Sequence, residues 1–382
     1  MGLFEKIFGN RPKESGQYQG SFQMLDGYRP QFSSWNKDIY ESELIRAAIG
    51  ARATHISKLR VQTQGAARPV LQRKLTHGPN DIQTWGQFLY RLSTILDNNN
   101  TAFIVPIYDQ YGDMSGVYAP LAERCDVVQY GDTPYLKYHF SDGKEAAIEM
   151  SLCGVMTKYQ YRSDFFGETN GALRPTLELV NIQNQGISEA VKSSAHYRFM
   201  ATLNNFSKDE DLKKERERFS KTNLSAEANG GGLLLFPNTY ANIQQIKSSP
   251  YTADADQMEL IKASVFEYFN VNEDILQAKA FGDSWSAFYE SVVESFAIQF
   301  SDVMSRMIFS PRELTEGNLV MATANRLQYM TNADKLNVSN GMLDRGIMSI
   351  NEVREIWNLA PVEGGDVRVI RGEYYNAEDK TE

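Results

Sequence analysis

Cysteine is nearly absent from this chain: two in 382 residues, Cys125 and Cys153, with no CxxC spacing. That excludes a disulfide framework and a cysteine-built zinc site, and it suits assembly in a reducing cytosol. Histidine is almost as scarce. His55, His77, His139 and His196 are scattered, with no partner at ligand spacing, and read as structural or surface residues. No apolar run approaches the roughly 20 residues that a membrane span needs. Catalytic signatures are missing too: there is no GxxxxGKS/T phosphate loop, no HExxH and no GxSxG. The glycines at 230–232 precede a strand-like run, where a phosphate loop would precede a helix, so they read as a turn. Positive charge is in the minority, with 39 Lys and Arg against 48 Asp and Glu and a net charge of −9. This balance argues against gripping duplex DNA by phosphate neutralisation, though not against surrounding DNA without gripping it. Carboxylates are plentiful enough for a two-metal nuclease, but nothing local selects a set. No catalytic residue, metal ligand or cofactor is assigned, and no enzymatic activity is expected.

What is present is patterned structure. The length allows about two or three domains at ~150 residues each, and 42% hydrophobic residues is ordinary for a globular protein. "MGLFEKIFGN" places Leu3, Phe4, Ile7 and Phe8 on one helical face. A membrane-surface helix is one reading and an arm docking on a partner subunit the preferred one; Lys6 stands where a myristoylation signal has Ser or Thr. Residues 11–40 read as an extended arm. "ESELIRAAIGARATHISKLR" predicts one helix and "TWGQFLYRLSTILDN" a second, by apolar recurrence at three- and four-residue spacing. Short β-branched and aromatic runs then predict an antiparallel β region over roughly 101–162.

Pro175 opens a helix of about 20 residues, ~30 Å long, that is polar for its length. A small insert at about 196–248 follows, with strands at "HYRFMATL", "GGLLLFP" and "YANIQQIK". Its helix "SKDEDLKKERERFSKTN" interleaves Lys208, Lys213, Lys214, Arg216 and Arg218 with acids in favourable i,i+4 order, and Ser207 with Glu210 makes a capping box. A solvated, self-paired face and a docking surface for a charged partner both fit that run. "DADQMELIKASVFEYFN" is helical, "VNEDILQAKAFGDSW" reads as a loop, and "SAFYESVVESFAIQFSDVMSRMIF" as a long helix. "GNLVMATANRL" gives a late strand. A two-helix hairpin joined at Gly346 completes the body, its second helix capped by Ser349 with Glu352 and striped by Ile350, Val353, Ile356 and Trp357. Alone, that hairpin could not bury its stripe. It must pack on its own body or on a neighbouring copy.

This order of parts resembles the portal proteins of tailed double-stranded DNA bacteriophages. The stretches that carry the resemblance are "LIRAAIGARATHISKL", "HGPNDIQTWGQFL", "NGGGLLLFPN" and, most specifically, "GIMSINEVREIWNLAPVEGGD". Where many members have a Val-Pro-Pro-like stretch, this chain has "FNVNEDIL". The resemblance implies an α+β fold with a mixed α/β wing, a helical stem, a small α/β clip and a short helical crown. It divides the chain into an arm (1–40), wing (41–174), stem helix (175–195), clip (196–248), second stem helix (249–270), tunnel loop (271–286), tunnel helix with the rest of the wing (287–330), and crown with C-terminal tail (331–382).

It further implies a virion protein, assembled in the bacterial cytoplasm as a ring of about twelve copies at the capsid vertex. Double-stranded DNA would pass through without sequence preference during packaging and ejection. Terminase large subunit and then head–tail adaptors would dock on the clip, at Lys208, Lys213, Lys214, Arg216 and Arg218; major capsid and scaffold proteins would be the other partners, with no membrane. Lys279, Phe281, Gly282, Asp283 and Ser284 would form the channel loop. In the alternative for that loop it is a turn between packed helices, with Phe281 and Trp285 as core anchors. Rival readings of the whole chain are a virion-associated nuclease or protease, another head–tail connector protein, and a membrane-docked host protein.

Overall fold

Apolar periodicity becomes buried faces here. The computed structural model describes residues 23–28, 39–194, 199–203, 214, 217–218, 240–245, 255–280, 282–323, 332–357 and 359–370. Along the chain these form β1 (Gln23–Tyr28), α1 (Glu43–Ile56), β2 (Arg60–Gln64), α2 (Pro69–His77), α3 (Trp85–Asn99), β3 (Thr101–Tyr108) and β4 (Met114–Tyr118). Next come β5 (Arg124–Tyr130), β6 (Thr133–His139), β7 (Glu145–Glu149), β8 (Gly154–Thr157), α4 (Arg174–Ser194), β9 (Phe199–Leu203), β10 (Tyr240–Gln245), α5 (Ala255–Tyr268) and α6 (Glu273–Leu276). The rest is α7 (Asp283–Phe288), a π-helical stretch (Tyr289–Glu294), α8 (Ser295–Ile308), α9 (Pro311–Thr315), β11 (Leu319–Thr323), α10 (Asn332–Asp344), β12 (Arg345–Ser349), α11 (Ile350–Ile356) and β13 (Arg368–Ile370). This is an α+β fold. The chain divides into two units, one made of Met1–Arg174 with Lys262–Glu382 and the other of Pro175–Ile261.

In the larger unit, β3 sits between β4 and β8 in one antiparallel sheet, and β1-β5-β6-β7 forms another. Period two decides the core. Phe103, Val105 and Ile107 of β3 share a buried cluster with Cys125, Val127, Leu136 and Tyr138 of β5 and β6, the alternation that sends every second side chain to one face. Both cysteines are buried and free. Close to them, α8 lies directly on β8. A Cβ on Gly154 would come within 2.6 Å of Val303 Cγ1, so that approach needs glycine. The helical side is built from α1 packed on α3, with Ile45, Ile49, Ala53 and Ile56 facing inward and Phe88, Leu89, Leu92 and Leu96 from α3 also buried. Thr84 and Gln87 cap α3 reciprocally.

β11 shows how a strand edge is satisfied without a strand. One edge pairs with β2, in register from Leu319↔Gln64 to Thr323↔Arg60. On the other edge, two serines one turn apart on α8 take the place of a neighbouring strand. Ser305 Oγ accepts from Val320 N at 2.8 Å and Ser301 Oγ accepts from Ala322 N at 2.9 Å.

The smaller unit holds α4 from Pro175 onward, the antiparallel pair β9–β10 and the first part of α5. Leu177, Val180 and Gln183 of α4 are buried, while Leu179 and Ile182 are exposed.

Several expectations are corrected. The first helix stops at Ile56. The chain beyond it turns into β2, because Arg60–Gln64 alternate and find β11 as partner. Pro69 then starts α2, a helix the sequence did not announce. The long helix after residue 286 carries the π-helical stretch. The terminal hairpin is not simply two helices joined at a glycine. β12 lies between α10 and α11 and pairs with β13, with Gly346 at φ 66 inside it. The Ser349–Glu352 capping box forms as expected. Of the striped residues on α11 only Ile356 is buried, and Ile347, Leu359, Val367, Val369 and Ile370 around it are exposed. Asn351 organises the last turn. Its amide donates to Asp366 Oδ1 at 2.8 Å and its Oδ1 accepts from Val362 N at 2.8 Å.

Ser305→Ala should leave the buried Val320 N–H without an acceptor. A loss of about 1–3 kcal/mol is expected, read as a lower urea midpoint. An unchanged midpoint would mean that this strand edge is satisfied some other way.

Candidate functional site

The predicted channel loop begins where α5 ends, and that end is tied to a buried polar hub. At the last turn of α3, Asp97 is 2% exposed at its side chain. Arg52 Nε meets one carboxylate oxygen at 2.8 Å and Lys158 Nζ meets the other at 2.6 Å. Burial alone would push the Asp97 carboxyl up. The Arg52 guanidinium and the Lys158 ammonium outweigh it and hold the group below the ordinary range. Asn100, at φ 54, ends α3 in the left-handed conformation that asparagine tolerates. Its amide nitrogen donates to Glu168 O and to Asn170 Oδ1, each at 2.7 Å. Asn170 in turn donates to the backbone oxygens of Asp97 and Asn98, and Tyr268 Oη donates to Asn170 Oδ1 at 2.7 Å. Gly167 closes the hub: a Cβ there would fall 2.1 Å from Asn100 O and 2.3 Å from Lys158 O.

From this base the loop runs through α6 rather than as irregular chain. Asn272 caps α6, accepting from Ile275 N at 2.9 Å, and its amide donates to Ser284 Oγ at 3.1 Å, which joins the two ends of the loop. Ile275 is buried and α6 packs on α1. Asp274 O accepts from Lys279 N at 2.7 Å, while Ala278 turns the chain at φ 56. Lys279 is exposed, its ammonium 2.6 Å from Gln277 Oε1. The helix after the loop is capped at Gly282, at φ 59 and ψ −126, with Asp283 as its first residue and Ser284 in its first turn. Glycine suits that backbone because a Cβ is disfavoured there. Trp285 is half-buried with its ring 4.6 Å from His55. Burial, with Lys58 nearby, lowers the His55 pKa to about 4 and keeps the imidazole neutral.

Lys279, Gly282 and Asp283 are thus exposed, Ser284 is half-buried in the first turn of α7, and Phe281 lies outside the described residues. Of the basic run, Lys214 and Arg218 are exposed and helical, and Lys208, Lys213 and Arg216 lie outside the described residues, as does the Ser207–Glu210 box. The sequence reading missed Asp97, Arg52, Lys158 and Asn170. An Asp and an Arg on apolar helix faces were the available signal. Elsewhere, a groove of about 690 Å³ is lined by Lys74, His77, Asn80, Asp109 and Tyr111 among others. Among the described residues no cluster of three His, Cys, Asp or Glu could hold a metal ion, and no helix is long and apolar enough to cross a membrane.

The phage portal protein family pattern matches residues 43–358, from the start of α1 to just past α11. The chain belongs to the phage portal protein family. Its role is that of a portal protein, a head–tail connector at the capsid vertex. No curated protein matches it. Among solved structures, it is similar to a chain in the neck of a native gene transfer agent particle computed with C12 symmetry. That likeness has a TM-score of 0.54 and 11% identity, over 85% of this chain and 92% of that one. The neck of an empty particle, computed with C6 symmetry, gives 0.53 and 12%, over 86% and 96%. A looser likeness, at TM-score 0.47 and 10% identity over 74% and 93%, is to an HK97 family phage portal protein from Corynebacterium diphtheriae.

The hub makes the larger unit of this portal protein sensitive to one carboxylate. Asp97→Asn leaves buried Arg52 and half-buried Lys158 without their counter-charge and should cost about 3–5 kcal/mol. The folded pKa of Asp97 lies below the ordinary value of about 3.9. Its contribution is therefore complete above that value and is lost as pH falls through the lower folded one. Acid denaturation followed by circular dichroism should show a component in wild type that Asp97→Asn lacks. Matching acid profiles would show that the carboxylate does not carry it.

Proposed function

We propose that about twelve copies of this chain form a ring whose central channel passes double-stranded DNA, with the 271–286 loop facing that DNA. The single observation that carries the reading is the family match across 43–358, which spans the loop and the basic run. The twelve-fold symmetry of the gene transfer agent neck supports the copy number. Electrostatics suit the task. A ring of chains at −9 each is strongly anionic, so phosphates are repelled at short range, and salt screens the repulsion beyond ~8 Å. DNA would slide and not be held. Lys279, the one cation between Asn270 and Ser286, offers a brief contact on an exposed turn. The basic run at Lys208–Arg218 serves as the docking surface for the packaging motor and then for the adaptor. The exposed apolar residues of 332–370 pack on adjacent copies. Assembly takes place in the host cytoplasm, and no catalytic step is assigned to the chain.

Light scattering with negative-stain imaging of the purified protein should give a ring-sized mass and a central hole; a monomer-sized mass at all concentrations would overturn the ring. Lys279→Glu should leave ring assembly unchanged and lower the DNA packaged or retained. Normal DNA content in heads carrying that variant would remove the loop's contact. A chain ending at residue 330 should stay folded and oligomerise, because β12 and β13 pair with each other and not with the main sheets. An unfolded monomer would instead put 332–370 in the main core.

A further inference from the structure

The last turn of a helix leaves four carbonyls without intrahelical partners. At the end of α5 all four are accounted for, and by two different means. Val271 N donates to Phe266 O at 2.9 Å and Asn270 N donates to Glu267 O at 3.0 Å. With Asn270 at φ 52, these are the paired bonds of a Schellman motif, supplied by the chain itself. The next two carbonyls are taken from outside the helix. Tyr159 Oη donates to Tyr268 O at 3.0 Å, and Arg52 Nη1 donates to Phe269 O at 2.5 Å. Arg52 comes from α1, where Asp97 already holds its Nε. A guanidinium at a helix C-terminus also meets the negative end of the helix dipole.

We propose that Arg52 and Tyr159 are positioning residues for the 271–282 loop: by capping the final carbonyls of α5 they fix the direction in which the loop leaves the fold. The geometry divides their labour. Asp97 orients the guanidinium plane through Nε, which frees the Nη1 edge to reach Phe269 O. The Tyr159 hydroxyl holds the preceding carbonyl. Tyr268, whose backbone is held by Tyr159, is also held at its own hydroxyl by Asn170. Loop position is thereby set by residues more than 100 positions away in sequence, none of which lies in the loop. The functional half of this inference rests on the reading that the loop faces DNA.

Arg52→Lys separates the two jobs. A lysine has one donor centre, where arginine applies two different nitrogens to Asp97 and Phe269 O. The charge beside Asp97 is kept and the cap is lost. In purified, assembled protein, hydrogen exchange at Asn270, Val271 and Lys279 should accelerate about tenfold, with exchange in β3 little changed. Heads assembled with the variant should lose DNA retention. Tyr159→Phe, which removes only a hydroxyl, is the second variant if Arg52→Lys does not fold, and should accelerate the same amides. Unchanged loop exchange in a folded variant overturns the positioning role. Accelerated exchange with normal DNA retention overturns its link to function. In that case, reduced retention in Lys279→Glu means that this inference alone has failed, while normal retention there means that the loop reading itself has failed.

Discussion

A carboxylate taken out of water is the constraint on which the larger unit is built. Asp97 stays charged at its depth because Arg52 and Lys158 offset the cost of burial. Each partner is drawn from a different part of the chain: Arg52 from α1 and Lys158 from the turn after β8. Removing two cations and an anion from solvent is unfavourable, and only close geometry with further hydrogen bonds offsets it. Arg52 makes one such bond to Phe269 O, and asparagines satisfy the backbone around the cluster. Asn170 satisfies two carbonyls at the end of α3 and accepts from Tyr268. The hub therefore does more than stabilise. It fixes how α1, α3, the 158–170 segment and the end of α5 meet.

Repeatedly, backbone groups that regular structure leaves over are met by side chains from elsewhere. Ser301 and Ser305 finish the edge of β11, Arg52 and Tyr159 finish the end of α5, and Asn351 finishes the turn after α11. An unpaired buried donor or acceptor costs about 1–3 kcal/mol, so each device matters locally. In a protein whose proposed work is to hold a channel open while a charged polymer moves through it, firm anchorage of exposed loops is a physical requirement. The loop that carries Lys279 rests on such anchors, and its exposed tip is short.

Residues 332–370 differ in kind. Ile347, Leu359, Val367, Val369 and Ile370 remain exposed there. Such exposed apolar side chains are what the proposed packing on adjacent copies would cover. The larger unit thus buries its own core, while this terminal segment of it leaves apolar side chains exposed.

The sequence by itself determined the elements whose burial is periodic. α1, α3 and α8 are legible because apolar residues recur at three and four, β3 to β8 because short β-branched and aromatic runs are set off by turn residues, and α11 because Ser349 and Glu352 make a capping box. The resemblance that led to the family was likewise carried by local stretches. Tertiary structure alone decided what depends on partners distant in sequence. Arg60–Gln64 could equally have extended a helix until β11, some 250 residues later, offered a strand edge. "VNEDILQAKAFGDSW" read as a loop because a one-turn helix held by Asn272 and by packing on α1 has no period to detect. Asp97 looked like one more polar residue at a helix end. That it is charged, buried and central follows from Arg52 and Lys158 converging on it in space, and no local pattern encodes which distant cation will meet which carboxylate.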